Sequence, residues 1–225
     1  MTAMLERTAT RLHQPVGLAS RVCLLLAAVL VVTAHFLPLW NLTMFAPQYP
    51  DALRLDIYDS ALVGGNGGQD LKEINLLNHY IGMRDLAVED FTEFKWMPFA
   101  LGGLALLFAR AVVFGTLKEL VDAVVMFFYF GGFSLWTFGY KMYRYGHDLS
   151  PTAAVKVPGF TPPLFGHKTI ANFDVYSYPQ AGTYLMAAVA VLLVVAFVLA
   201  WRRTGRPSGR ATQKADKAYL ELTAT

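Results

Sequence analysis

The stretch VCLLLAAVLVVTAHFLPLW (residues 22–40) decides how the chain must be read. It contains no Asp, Glu, Lys or Arg, and the uncharged run around it extends from Arg21 to Asp51. A bilayer core about 30 Å thick needs about 20 apolar residues of helix. Residues 22–40 therefore predict a membrane span, stopped by Pro38 and closed by Trp40 at the interface. Small residues at Val32-Thr33-Ala34 follow a basic segment and also fit the cleavage site of an exported leader. The apolar run continues past that point to Leu42 and favours an uncleaved span.

Three more runs follow the same logic. Between Lys95 and Leu117 the only charge is Arg110, which predicts a second span at 96–115. Asp122 and Lys141 enclose 18 uncharged residues, the third span, with its apolar helix at 122–140. Asp174 and Arg202 enclose 27, where Pro179 and Gly182 delay the helix to 183–201. Between the spans lie a long loop at 41–95, a short link at 116–121 and a second long loop at 141–182. Tails at 1–21 and 202–225 flank them. The composition agrees: 55% of the 225 residues are hydrophobic and 16% charged, against about 25% charged in ordinary soluble domains.

Charge placement orients the chain. Of the 19 Lys and Arg, 10 fall in the tails and the short link, an eleventh, Arg110, lies near that link, and 11 of the 16 acids fall in the two long loops. The positive-inside rule then places both termini in the cytoplasm and both long loops outside. A net charge of +3 is too small to suggest a nucleic-acid partner. The basic C-terminal tail instead suits anionic lipid. A single cysteine, Cys23, excludes an internal disulfide, a Cys-x-x-Cys redox pair, a c-type haem attachment and thiolate metal centres.

The long loops carry their own patterns. Leu53, Leu55 and Ile57 alternate with Arg54, Asp56 and Tyr58, as a half-buried strand does. Gly64-Gly65-Asn66-Gly67-Gly68 then turns the chain. Asp70 with Glu73 three residues later predicts a helix N-cap, and Leu71, Ile74, Leu77 and Ile81 continue it at helical spacing. The Pro-rich second loop ends in a predicted strand at 170–178. The expected architecture is an all-α membrane protein, a bundle of four transmembrane helices with a small α/β periplasmic cap built by the two external loops.

Little chemistry is visible inside the spans. Arg110 lies where its stem can snorkel, and His35 lies near the outer end of the first span. No second intramembrane histidine exists to bind haem between helices. Span three carries eight aromatics, from Phe127 to Tyr140, expected to pack on the small residues Gly102, Ala105 and Ala109. No nucleophile elbow, zinc-protease motif or phosphate loop is present, so nothing marks the chain as an enzyme. Glu89, Asp90 and Glu93 read as a solvated acidic rim.

The outer helix offers more. Asn75, His79 and Met83 recur at four-residue spacing and would share one stripe. An imidazole with a thioether suits soft Cu(I). His79 and Met83 are the expected metal ligands, with His147 and His167 as supplements, and Met44 and Met97 as nearby thioethers. Copper is the only cofactor this set suggests.

Two longer motifs carry a resemblance. One is Glu73-Ile74-Asn75-Leu76-Leu77-Asn78-His79-Tyr80-Ile81-Gly82-Met83. The other runs from Val155-Lys156-Val157-Pro158 through Phe160-Thr161-Pro162-Pro163 and Gly166-His167-Lys168 to Ile170-Ala171-Asn172-Phe173 and Tyr178-Pro179. With four spans they resemble a family of small bacterial membrane proteins found in gene clusters for the copper enzyme nitrous oxide reductase. The resemblance covers roughly residues 20–200. It implies a multi-pass protein of the bacterial inner membrane with a periplasmic working face, serving copper or electron delivery in denitrification. The expected function is an accessory protein that handles copper for, matures or scaffolds a periplasmic copper enzyme. The alternative is a non-catalytic membrane subunit of a quinol or cytochrome electron-transfer complex. Either way its partners are the lipid bilayer and other membrane or periplasmic proteins.

Overall fold

A computed structural model describes residues 9–204. The basic C-terminal tail beyond Thr204 lies outside the described residues. The principal elements among the described residues are α1 (Leu18–His35), β1 (Trp40–Phe45), β2 (Leu53–Ile57), β3 (Leu62–Gly64), α2 (Gln69–Tyr80), α3 (Glu93–Phe114), α4 (Leu117–His147), β4 (Gly166–Ile170), β5 (Phe173–Pro179) and α5 (Ala181–Thr204).

Four of these helices, α1, α3, α4 and α5, are long and apolar enough to cross a membrane. Each buries one stripe at helical spacing. The stripes are Leu24, Ala27, Ala28, Val31 and Ala34 on α1; Leu101, Leu104, Phe108 and Ala111 on α3; Leu117, Leu120, Ala123 and Phe127 on α4; Val189, Leu193, Ala196 and Ala200 on α5. Alanine recurs in all four stripes, which lets backbones approach closely. The most extensive packing is α1 on α5 and on α3. The buried Ser20 hydroxyl donates to the Ala196 carbonyl at 3.0 Å, a further tie between α1 and α5. The outward faces are apolar too, with Leu25, Leu26, Val29, Leu106, Val113, Val191 and Val194 all exposed. That pattern inverts the polar exterior of a helix in water.

The aromatics of α4 do not meet a stripe of small residues. Trp96 packs edge-on against Phe130 and tilted against Phe133, and Phe108 meets Phe127. Gly102 and Ala109 face outward. Bulky rings already fill the α3–α4 seam, so small residues are not needed there. Arg110 pairs with Glu119 at 2.6 Å, across the turn that joins the two helices. The Thr116 hydroxyl accepts the Glu119 N–H at 3.3 Å and caps the start of α4.

The five strands form one antiparallel sheet in the order β3-β2-β1-β5-β4. Its centre is the β1–β5 pair, from Trp40 opposite Pro179 to Phe45 opposite Asp174. These strands continue directly from α1 and into α5, the most tightly packed helix pair. The junction is clamped: Gln180 N donates to Leu39 O and Gly182 N to Pro38 O, both at 2.9 Å. The sheet is thus fixed to one end of the bundle by its two central strands. Leu53, Leu55, Leu62, Ile74, Leu77, Ile170, Phe173 and Val175 make a second core between the sheet and α2.

The helix boundaries differ from the sequence reading at instructive places. α1 ends at His35, and Trp40 begins a strand. Pro38 cannot continue the helix, and the run after it pairs with β2 instead. Trp40 donates from its indole to the Ser177 hydroxyl at 2.8 Å. The expected strand at 170–178 is two strands, split at Ala171 and Asn172, where Ala171 takes φ +54°.

Asp70 is not the N-cap of α2. Gly68 holds that position in the left-handed conformation (φ +91°), which glycine adopts without a Cβ penalty. Asp70 sits inside the first turn, where its carboxylate accepts the Arg54 N–H at 2.9 Å and ties α2 to β2. Glu73 is engaged elsewhere too. The Tyr49 hydroxyl donates to its carboxylate. That bond holds Glu73 below the ordinary carboxylate range and pushes the Tyr49 phenol up to about 12.

Candidate functional site

The end of α2 decides where His79 and Met83 go. The helix stops at Tyr80, and Gly82 follows at φ +83°. Gly82 N donates to His79 O at 3.1 Å, and Met83 N donates to Asn78 O at 2.8 Å. This left-handed closing turn satisfies free carbonyls at a helix end. A Cβ on Gly82 would lie 2.9 Å from Ala153 Cβ and 3.0 Å from Ser150 O, so only glycine lets residues 150–153 close over the turn. Asn75, His79 and Met83 therefore do not continue one helical stripe. Asn75 instead pins the following loop, accepting the Leu86 N–H at 2.8 Å.

The turn nonetheless brings His79 and Met83 to one place. Both line an open pocket of about 770 Å³ beside Arg84, Asp85, Asp90, Arg144 and Asp148. The His79 ring is exposed, and Met83 is half-buried. Charges of both signs surround them. Arg144 donates from two nitrogens to Asp148 Oδ2, at 2.9 and 2.5 Å. These bonds hold the Asp148 carboxyl below its usual range. On the flank towards the bundle, the Lys141 ammonium donates to the Asp90 carbonyl and lies 3.3 Å from Glu93 Oε2. The acidic rim is thus partly tied to α4.

His147 and His167 do not join the pocket lining. His147 stacks on Tyr143 with ring centroids 3.9 Å apart, and its Nδ1 lies 2.9 Å from the Tyr143 carbonyl. His167 lies on β4, 3.1 Å from Asp174 Oδ1 and tilted against Tyr176. Thr169 and His167 together hold Asp174 below the ordinary carboxylate range. Among the described residues, no group of three or more His, Cys, Asp or Glu side chains is placed to hold a metal ion. Behind the pocket, Met83 also borders an apolar cavity of about 60 Å³, together with Met44, Met142 and Asn78. Met97, on α3, lines neither.

Sequence reasoning passes over the most buried carboxyl among the described residues. Asp59, in the turn between β2 and β3, is fully buried. Its Oδ2 lies 2.7 Å from His35 Nδ1, while its Oδ1 has no partner. A Tyr-Asp-Ser sequence in a hairpin reads as an ordinary turn, and nothing local pairs it with a histidine 24 residues earlier. The one available signal was His35 itself, a polar residue at the end of an apolar run. No protein-family model matches the chain, and no curated protein matches it.

Proposed function

We propose that this is a multi-pass protein of the bacterial inner membrane, with both termini cytoplasmic, whose sheet-bearing cap supports an extracytoplasmic copper enzyme. The cap would hold or hand over Cu(I) at His79 and Met83. The observation that carries this reading is the turn at Gly82, which seats an exposed imidazole and a thioether on one open pocket. Both are donors that suit a soft cation. Two protein donors and an open side fit a metal ion in transit, since the molecule that gives or takes it supplies the remaining ligands. The resemblance to the membrane proteins of nitrous oxide reductase gene clusters points to the same kind of partner.

The reading is tested by titrating Cu(I) anaerobically into the purified protein against a chromophoric chelator. Loss of an outer partner alone costs a metal site about 10–100-fold in affinity. His79→Ala removes a ligand and is expected to cost at least that, with the melting temperature unchanged. A wild-type protein that takes up no Cu(I) removes the ligand role.

A second reading rests on α4. Tyr129, Leu135, Trp136 and Tyr140 are all more than half exposed on a helix of the bundle. That face suits a neighbouring subunit of a quinol or cytochrome complex. Co-purification of a cytochrome in mild detergent supports this reading, and a lone monomer counts against it.

A further inference from the structure

The end of the bundle where α1 starts and α5 stops holds an arrangement of arginines that the copper reading does not use. Residues 14–17 lie against the turn between α3 and α4. Val16 N donates to Gly115 O at 2.7 Å, and Leu117 N donates to Gln14 O at 3.0 Å. Two glycines meet at this junction, and a guanidinium lies over each. Arg203, from the last turn of α5, places Nη1 2.7 Å from where a Cβ on Gly17 would be. Arg21, from the first turn of α1, covers Gly115 so closely that a Cβ there would overlap its guanidinium. Gly115 also takes φ +59°. Both side chains therefore converge on one small patch of backbone through notches that glycine leaves open.

Among the described residues neither guanidinium has a counter-ion. Among the described residues, no carboxylate lies within 4.0 Å of Arg21 or Arg203, nor of their neighbours Arg11 and Arg202. Among the described residues no side-chain hydrogen bond satisfies Arg21 or Arg203 either. Arg11 lies over the Trp201 ring at 5.7 Å, a cation–π contact. Arg110, by contrast, is already paired with Glu119. A guanidinium presents donors in a rigid fork that matches phosphate oxygens. Two such forks on one junction, at the level where an apolar bundle ends, match the phosphate of an anionic lipid. A protein anion would arrive from water. A lipid headgroup is held at this depth by its own tails.

We propose that Arg21 and Arg203 form a cradle for the headgroup phosphate of an anionic phospholipid on the terminal side of the bundle. The proposal rests on the membrane reading above. It does not depend on copper or on the cap.

The full chain, purified in mild detergent, is tested by native mass spectrometry with phosphatidylglycerol, phosphatidylcholine or inorganic phosphate added. Phosphatidylglycerol is expected to stay bound in preference to phosphatidylcholine. Arg21→Gln and Arg203→Gln are each expected to weaken it about fivefold, and millimolar phosphate should leave it in place. Gly17→Ala gives an independent check, because its backbone is extended already (φ −72°) and the new methyl would displace the Arg203 guanidinium. It should lose the preference as Arg203→Gln does. Equal retention of the two lipids overturns the proposal, as do folded variants that bind like wild type. Displacement by inorganic phosphate would mark a free-anion site and overturn the lipid assignment. Failure of the membrane reading looks different: the chain would then leave cell extracts in the soluble fraction without detergent, which overturns both.

Discussion

Phe173→Ala is expected to destabilise the sheet-bearing cap by about 3–5 kcal/mol, the range for removing a buried aromatic from a core. Phe173 is 1% exposed at the start of β5, the strand that pairs with both β1 and β4. Its ring fills the second core, between the sheet and α2. Residues around it cannot close the gap cheaply, because β5 is held in register on both sides. Trp40 offers a local readout, since its indole bonds to Ser177 on the same strand. Its fluorescence should report loss of the sheet at lower denaturant than in wild type, while the helical signal of the bundle persists. A cost below about 1 kcal/mol would mean that the cap core is not packed as described.

His35→Ala is the second large effect. It leaves Asp59 buried with neither oxygen partnered, since Oδ1 already has none. Breaking a fully buried pair from one side costs about 3–5 kcal/mol. Here the histidine side chain is 37% exposed and Asp59 0%, so water supports part of the pair and about 2–3 kcal/mol is expected. The damage should fall at the seam between bundle and cap, because His35 ends α1 and Asp59 ends the β2–β3 hairpin. Faster proteolysis in the segment 46–62, with the helices intact, is the sign to look for. His35→Gln retains a donor and should recover part of the loss. If Ala and Gln variants match wild type, the pair contributes nothing to joining the two parts.

Much of this architecture is legible in the sequence, and the reasons are specific. The four long helices can be read because an uncharged run of such length leaves few other structures. Alternation at Leu53, Leu55 and Ile57 gives β2 for the same kind of reason: each side chain takes one of two faces. β1 is harder, because Trp40-Asn41-Leu42-Thr43-Met44-Phe45 is as uncharged as the helix before it. Its partners lie 9–17 residues away in β2 and 129–139 residues away in β5. Pairing at that distance leaves no local trace. Asp70 looks like a cap because the sequence shows a carboxylate before a helix, not the Arg54 amide that claims it.

The candidate site is legible by residue type but not by mechanism. The spacing of His79 and Met83 reads as one helical stripe. They share a pocket because Gly82 reverses the chain between them. The histidines of the second loop carried the same chemical promise. Local partners occupy them instead: Tyr143 for His147, Asp174 and Tyr176 for His167. The Asp59–His35 pair joins two elements that no periodicity connects.

In the proposed topology a four-span bundle holds the cap outside the cell membrane and both termini inside. Cysteine labelling in intact cells tests it most directly, because Cys23 is the only thiol to remove first. In a Cys23→Ser background, Gln48→Cys on the cap should react with a membrane-impermeant maleimide added from outside. Lys118→Cys, exposed in the first turn of α4, should react only after the cells are opened. Labelling of Lys118→Cys in intact cells with Gln48→Cys protected, or equal labelling of both before opening, would contradict the account.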